Sequence, residues 1–480
     1  MSVLKGKEIY TWLSAPNKNH IWWVIGLVLV VLLVPILFRA FAVDGALIGE
    51  ESYGNLNLAE NPLALNEVGE FEDEPYFGER AWFSILAISP LFLSKWLPFL
   101  IGIISSVLFY LILRKLIPRY AFLASVFLIF SPANVYLFSV SSATVAGVFF
   151  SLLATWSYVN GRKAWATAAL IVTGLFSVLC ALLVWLVFLF YVVYVIKKDY
   201  KYLWWALFGI FISFILQFGY SLVVAGIPLI IFLKTFTLPH LIGDMFTDFG
   251  ARFGFGLFSF LMALFGLFFV YKEKHRYLIG YIAIAISLML SVYFEFILFY
   301  LNFLIVLFAA VGIIKLVEME WKLDIVRSLV ILFVICGLLF SFVSYMDRVV
   351  EFSPNEDAVA AMKFLQIEGG DSVILTNPDR ASFVKYGGNV PLVSDKVVYY
   401  VSPKQRLDDI NYFYTQNSFE IAEQIIKRHD VKFVWIDDEM KKEIAVGDNV
   451  NVVTLFSHSF ARFFIAYSSP TVEIWEYLGA

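Results

Sequence analysis

The chain has 480 residues, of which 61% are apolar, 18% aromatic and 15% charged, with a formal net charge of −4 and a mean hydropathy of +0.80. That composition excludes a water-soluble globular enzyme and is that of an integral membrane protein. It carries no basic face or stripe of the kind that binding a phosphate backbone requires, so no nucleic-acid partner is expected.

In chain order, Lys5, Lys7 and Lys18 precede an apolar run over residues 21–43. The run is long enough to cross an apolar layer about 30 Å thick, which predicts a retained first transmembrane helix with a cytoplasmic N-terminus. Residues 44–80 follow, reading DGALIGEESYGNLNLAENPLALNEVGEFEDEPYFGER, with ten carboxylates and a single cation, Arg80. Acid at this density beside a bilayer suits metal coordination, general-base chemistry on a membrane-borne substrate, or a solvated loop.

Beyond the loop, basic clusters recur at Arg114/Lys115/Arg119, Arg162/Lys163, Lys197/Lys198/Lys201, Lys272/Lys274/Arg276 and Lys315/Lys322/Arg327. Short basic loops stay cytoplasmic, so an even number of crossings is expected between consecutive clusters. Residues 120–160 carry no charge and predict two spans that turn outside at SPANVYLFSVSS. The 33 uncharged residues 164–196 predict two short spans in a tight hairpin. Spans near 203–225 and 253–271 enclose an outer loop with Lys234, His240, Asp244, Asp248 and Arg252. A pair near 277–293 and 296–314 turns around Glu295, and a last span lies near 326–345. The total is about eleven transmembrane helices, an odd number, which puts the C-terminus outside. Cys180 and Cys336 both lie in apolar runs and say nothing of redox compartment.

At Asp347 the composition turns to that of a globular domain. Ser353-Pro354-Asn355-Glu356 has the signature of a helix start, with Ser353 as the cap, and Asn417-Ser418-Phe419-Glu420 repeats it. SVILT at 372–376, KFVWI at 432–436 and TVEIW at 471–475 read as strands. Asp437-Asp438-Glu439 reads as a helix cap, with Asp437/Lys441 and Asp438/Lys442 as i, i+4 pairs. The expected fold class is a polytopic α-helical membrane protein, residues 1–346, followed by an extracytoplasmic α/β domain, residues 347–480.

No nucleotide-binding P-loop, HExxH, GxSxG or CxxC motif is present. Almost no charge lies inside the spans, which argues against an ion-coupled transporter. A first span, an acidic outer loop, many short spans and an external α/β tail together resemble the GT-C glycosyltransferases. These polytopic enzymes use lipid-phosphate-linked sugars and include oligosaccharyltransferase catalytic subunits and protein mannosyltransferases. The resemblance is densest at Gly49-Glu50-Glu51-Ser52-Tyr53-Gly54-Asn55-Leu56 and at Asp73-Glu74-Pro75-Tyr76-Phe77-Gly78-Glu79-Arg80. On the oligosaccharyltransferase pattern Glu51 takes the catalytic-acid position, and on the mannosyltransferase pattern Glu50 does. Glutamate stands where the family has aspartate, and TNPDRASFVKYGGNVPLVSD replaces the W-W-D-Y-G region.

The resemblance implies a cell-membrane enzyme that moves a sugar from a polyprenyl (dolichyl) phosphate donor to a protein, glycan or lipid acceptor on the outer face. It implies Glu51 or Glu50 as the catalytic carboxylate, and Mg or Mn held by Glu51, Asp73 and Glu74. Tyr53, Arg80, His240, Arg252 and Arg380 would surround the substrate, with arginines on the phosphate. The alternative is a GT-C-like scaffold without activity that serves as an assembly subunit. Glu50 and Glu51 also fit a plain helix N-terminus, and His240, Asp244 and Asp248 fit the polar face of an interfacial helix as well as a substrate wall.

Overall fold

Hydrocarbon offers no hydrogen-bond partners, so long uncharged runs can satisfy their backbone groups only as helices. The structure, a computed structural model, describes residues 17, 19–42, 47–60, 80–191, 200–215, 245–252, 254–270, 274–291, 296–319, 321, 323–351, 353–393, 404–415, 418–438, 440–441 and 462–479. The apolar half contains α1 (His20–Ala42), α2 (Glu50–Glu60), α3 (Arg80–Leu86), α4 (Pro90–Leu116), α5 (Ala121–Ile129), α6 (Pro132–Ser139) and α7 (Ala143–Val159). It continues with α8 (Lys163–Phe176), α9 (Val178–Tyr191), α10 (Tyr200–Phe214), α11 (Leu257–Val270), α12 (Lys274–Ser291), α13 (Ile297–Glu318) and α14 (Asp324–Glu351).

Among the described residues, four helices are long and apolar enough to cross a membrane, within α1, α4, α13 and α14. The pair α5 and α6, bent by 61°, can form a fifth crossing. Among the described residues length and composition thus give four or five crossings, and the expected count of about eleven is not confirmed. The stretch 164–196 shows why: it breaks at Ser177 into two 14-residue helices, each about 21 Å long at the α-helical rise, short of a bilayer's apolar core. The turn expected at SPANVYLFSVSS is also corrected. Pro132 is tolerated in a first helical turn after Ser131, and residues 132–138 form a buried helix instead of an outer loop.

The basic clusters do gather. Lys115 donates to the Asn160 side chain at 2.9 Å, Arg119 pairs with Glu318, and Lys163 lies 5.9 Å from the Tyr202 ring. One end of the helical domain thus carries the cations that the crossing pattern groups together.

The C-terminal half holds α15 (Glu356–Glu368), β1 (Val373–Leu375), α16 (Pro378–Gly388), α17 (Lys404–Thr415), α18 (Phe419–Arg428), β2 (Val431–Asp437), β3 (Phe463–Ser468) and β4 (Val472–Tyr477). The sheet order is β1-β2-β4-β3. β1 runs parallel to β2, and the others pair antiparallel. A parallel pair needs a crossover, supplied by the helices between residues 378 and 428. β2 is buried on both faces: Phe433 and Trp435 join Met362 and Phe383 on one side, Val434 and Ile436 join Phe413 and Ile425 on the other. That is why it reads as a continuous apolar run. β3 was not expected, because Phe464 and Ile465 on this edge strand remain exposed and break the alternation.

The cap of α15 is Asn355, two residues later than the expected Ser353, and its side chain accepts from the Ala358 N–H at 2.8 Å. The helix begins at Glu356, so the extended residue directly before it, Asn355, is the one placed to cap. Asn355→Ala is expected to cost about 1 kcal/mol. Hydrogen exchange of the first α15 amides should accelerate about fivefold, while Asn355→Asp should keep the wild-type rate. Asp437 accepts from the Met440 N–H at 2.9 Å as a cap, but it pairs with Arg380 while Lys441 reaches Glu473 at 2.7 Å.

Helix α2 belongs to both halves. Ile48 and Ala59 lie in the helical core, whereas Leu47, Tyr53 and Leu56 pack into the core of the sheet domain. Asn57 donates to the Ser382 carbonyl at 3.0 Å. The acidic helix is held between the two layers.

Candidate active site

Gly49 turns the chain into α2 at φ +75°. A side chain there would meet Val140 Cγ2 at 2.9 Å, so glycine serves both the left-handed backbone and the close approach. Glu50 and Glu51 occupy the first turn of α2, where carboxylates complement the positive end of the helix dipole. Adjacent helical residues point about 100° apart, and the two acids separate accordingly. Glu50 is 8% exposed, with Oε2 3.7 Å from Arg252 Nη1. Glu51 is exposed and its Oε1 accepts from the Tyr136 hydroxyl at 3.1 Å.

Arg252 is the cation of the site. Its guanidinium stands 5.8 Å from the centre of the Tyr136 ring. Burial works to lower its pKa, and Tyr136, Glu51 and Glu50 together reverse that and raise it, so it stays charged. The segment that carries it is pinned to α14. Tyr345 donates its hydroxyl to the Arg252 carbonyl at 2.7 Å. Asp248 accepts from Ser341 Oγ at 2.8 Å and from the Leu257 N–H at 2.6 Å. Asp248 lies on a short 3-10 turn, Thr247–Phe249, and anchors this segment to its neighbours.

A cavity of about 220 Å³ opens beside these groups, lined by Glu51, Tyr136, Ser142, Thr144, Phe296 and Phe299 among others. A wider depression of about 570 Å³ at Arg162, Lys163, Trp165 and Tyr202 contains none of the site carboxylates. Its cations and aromatic rings suit a membrane–water interface.

Two other expected residues, Tyr53 and Arg380, belong to the sheet domain. Tyr53 is buried in the sheet-domain core, 6.3 Å from the Phe383 ring, and its hydroxyl accepts from the Leu47 N–H at 2.9 Å. Arg380 pairs with Asp437 at 2.9 Å on the sheet domain. Arg80 opens α3. Asp73, Glu74, Lys234, His240, Asp244 and Glu295 lie outside the described residues. Tyr136 and Tyr345 were not anticipated. The signal for Tyr136 is the density of polar side chains, Ser131, Asn134, Ser139, Ser141 and Ser142, in an uncharged stretch.

Among the described residues no three His, Cys, Asp or Glu side chains form a group able to hold a metal ion. Glu50 faces an arginine and Glu51 a tyrosine hydroxyl. The other two expected metal ligands, Asp73 and Glu74, lie outside the described residues.

No protein-family model and no curated protein matches the sequence. Solved structures do. The chain is similar to an oligosaccharyltransferase of Archaeoglobus fulgidus tethered with an acceptor peptide containing the NVT sequon (TM-score 0.54, 12% identity, 88% of this chain and 70% of that one). It is similar to AglB of Archaeoglobus fulgidus in complex with an inhibitory peptide and a dolichol-phosphate (TM-score 0.50, 11% identity, 97% and 75%). It is also similar to ArnT of Cupriavidus metallidurans bound to undecaprenyl phosphate (TM-score 0.52, 11% identity, 96% and 98%). Across proteins of two different organisms, and along most of its length, the chain shares their fold.

Proposed function

We propose that this protein is a membrane glycosyltransferase that moves a sugar from a polyprenyl-phosphate-linked donor to an acceptor on the outer face of the cell membrane. The observation that carries the reading is that Glu51 and Tyr136 meet at the wall of one cavity, with Arg252 against the Tyr136 ring and Glu50 against Arg252. It is supported by a fold shared with proteins solved with dolichol-phosphate and undecaprenyl phosphate.

Glu51 is the better candidate for the base, since it faces the cavity while Glu50 is buried against Arg252. In the step proposed, an acceptor O–H or N–H loses its proton to the Glu51 carboxylate as its heteroatom bonds to the anomeric carbon. The carbon–oxygen bond to phosphate breaks, and the electron pair leaves on the phosphate oxygen of the polyprenyl phosphate. Arg252 offsets the charge that develops there. Tyr136 orients the carboxylate and Glu50 the guanidinium. Mg or Mn, if used, would need Asp73 and Glu74 beside Glu51, and no step above runs through a metal.

The test is transfer from a radiolabelled polyprenyl phosphate sugar by membranes containing the protein. Glu51→Gln is expected to lower the rate at least about 100-fold at unchanged thermal stability. An undiminished rate would remove Glu51 from the chemistry, and absence of transfer by the wild type with every donor tried would favour the scaffold reading. Chelation and re-addition of Mg or Mn to the active membranes measures the metal requirement separately.

A further inference from the structure

Ser141 lies between α6 and α7, with Val140 and Ser142 in extended conformation on either side. Its backbone groups therefore need partners outside a helix, and α2 supplies both. The Ser141 N–H donates to Ser52 Oγ at 2.9 Å. The Ser141 carbonyl accepts from Asn55 Nδ2 at 2.6 Å. Ser52 Oγ in turn donates to the Ile48 carbonyl at 2.7 Å and is 1% exposed. Ser52 and Asn55 are three apart and share one face of the helix.

The two segments so joined carry the two halves of the site. Glu51 directly precedes Ser52, and Tyr136 lies on the helix that leads into Val140 and Ser141. Gly49 permits the approach, with Val140 2.9 Å from where a side chain would begin. Ser142 and Thr144, just past the clamp, line the same cavity as Glu51. An exposed glutamate has several rotamers, and a reacting group must be held to within a fraction of an ångström. We infer that Ser52 and Asn55 are positioning residues: by gripping Ser141 from both sides they set the Glu51 carboxylate against the Tyr136 hydroxyl and the cavity wall.

This inference rests on the proposed transfer reaction, and its experiment separates the two. Ser52→Ala and Asn55→Ala are expected to lower kcat about tenfold or more, while KM for the donor changes less than about twofold. Ser52→Thr, which keeps the hydroxyl, should restore most of the rate. In a Tyr136→Phe background the Asn55→Ala change should add little, because the two act on one contact. A wild-type kcat in both alanine variants, or an undiminished Asn55→Ala effect in the Tyr136→Phe background, overturns the clamp and leaves the Glu51 assignment standing. Should the wild type show no transfer, hydrogen exchange of residues 50–60 reads the clamp directly. Both alanine variants should accelerate it about tenfold, and unchanged exchange overturns it.

Discussion

Arg252→Met is expected to destabilise the protein by about 3 kcal/mol and to abolish transfer. Glu50 is nearly buried at 8% exposure, and Arg252 is the cation that faces it at 3.7 Å. Removing one partner of a buried pair leaves the other charge in low dielectric, which costs about 3–5 kcal/mol. The lower end applies because the Arg252 side chain keeps 29% of its surface exposed. Proteolysis of the transiently opened state tracks its population, so cleavage should accelerate roughly 100-fold. The double variant Glu50→Gln/Arg252→Met removes both charges and should recover most of that loss without recovering transfer. If the double variant is as unstable as Arg252→Met alone, the pair is not what Arg252 contributes. The pH dependence has a definite sign. The folded-state pKa of Arg252 is raised, so its contribution is fully present below the unfolded value of an arginine and is lost only as the pH rises through the folded one. Any change in activity between about pH 5 and 9 therefore belongs to groups other than Arg252.

The acids of α2 and Arg252 were legible in the sequence because charge beside long apolar runs is rare and stands out. What could not be read was which of them meet. Tyr136 and Glu51 are 85 residues apart, and a tyrosine in an uncharged span looks like any other aromatic residue. Glu50 and Glu51 were indistinguishable as neighbours in sequence. Their roles divide only because a helix turns one toward Arg252 and the other toward the cavity. Tyr53 went the other way: its place after the acids suggested substrate contact, but two residues along the helix it faces the sheet domain. In that domain β1, β2 and β4 were legible from their apolar runs, while edge strand β3 was not, since pairing with β4 on one side leaves part of its apolar surface in the open.

The same dependence on tertiary approach governs the second large effect, at the crossing of α11 and α13. A side chain at Gly266 would begin 2.0 Å from the Phe308 carbonyl, and one at Gly312 would begin 2.3 Å from the Met262 carbonyl. Both obstacles are backbone, so neither can rotate away, and the helices must separate. Small residues at such crossings let apolar helices gain packing that lipid cannot replace. Gly266→Ala is expected to cost about 2 kcal/mol, and Gly266→Leu to prevent accumulation of folded protein. The helix that yields is α11, because Leu261, Leu264 and Phe268 on its outer side are 45%, 47% and 73% exposed. The apolar span of α13 is 78% buried, which leaves it little room to move. Phe299 stands 13 residues before Gly312 on α13, about 20 Å along the axis, and it lines the cavity beside Glu51. Gly266→Ala should therefore shorten survival in detergent while the kcat of the molecules that remain folded stays within about twofold of wild type. A large fall in kcat would mean that α13 shifts with α11 and that the cavity wall is carried by this crossing; unaltered survival would mean that the two backbones do not touch.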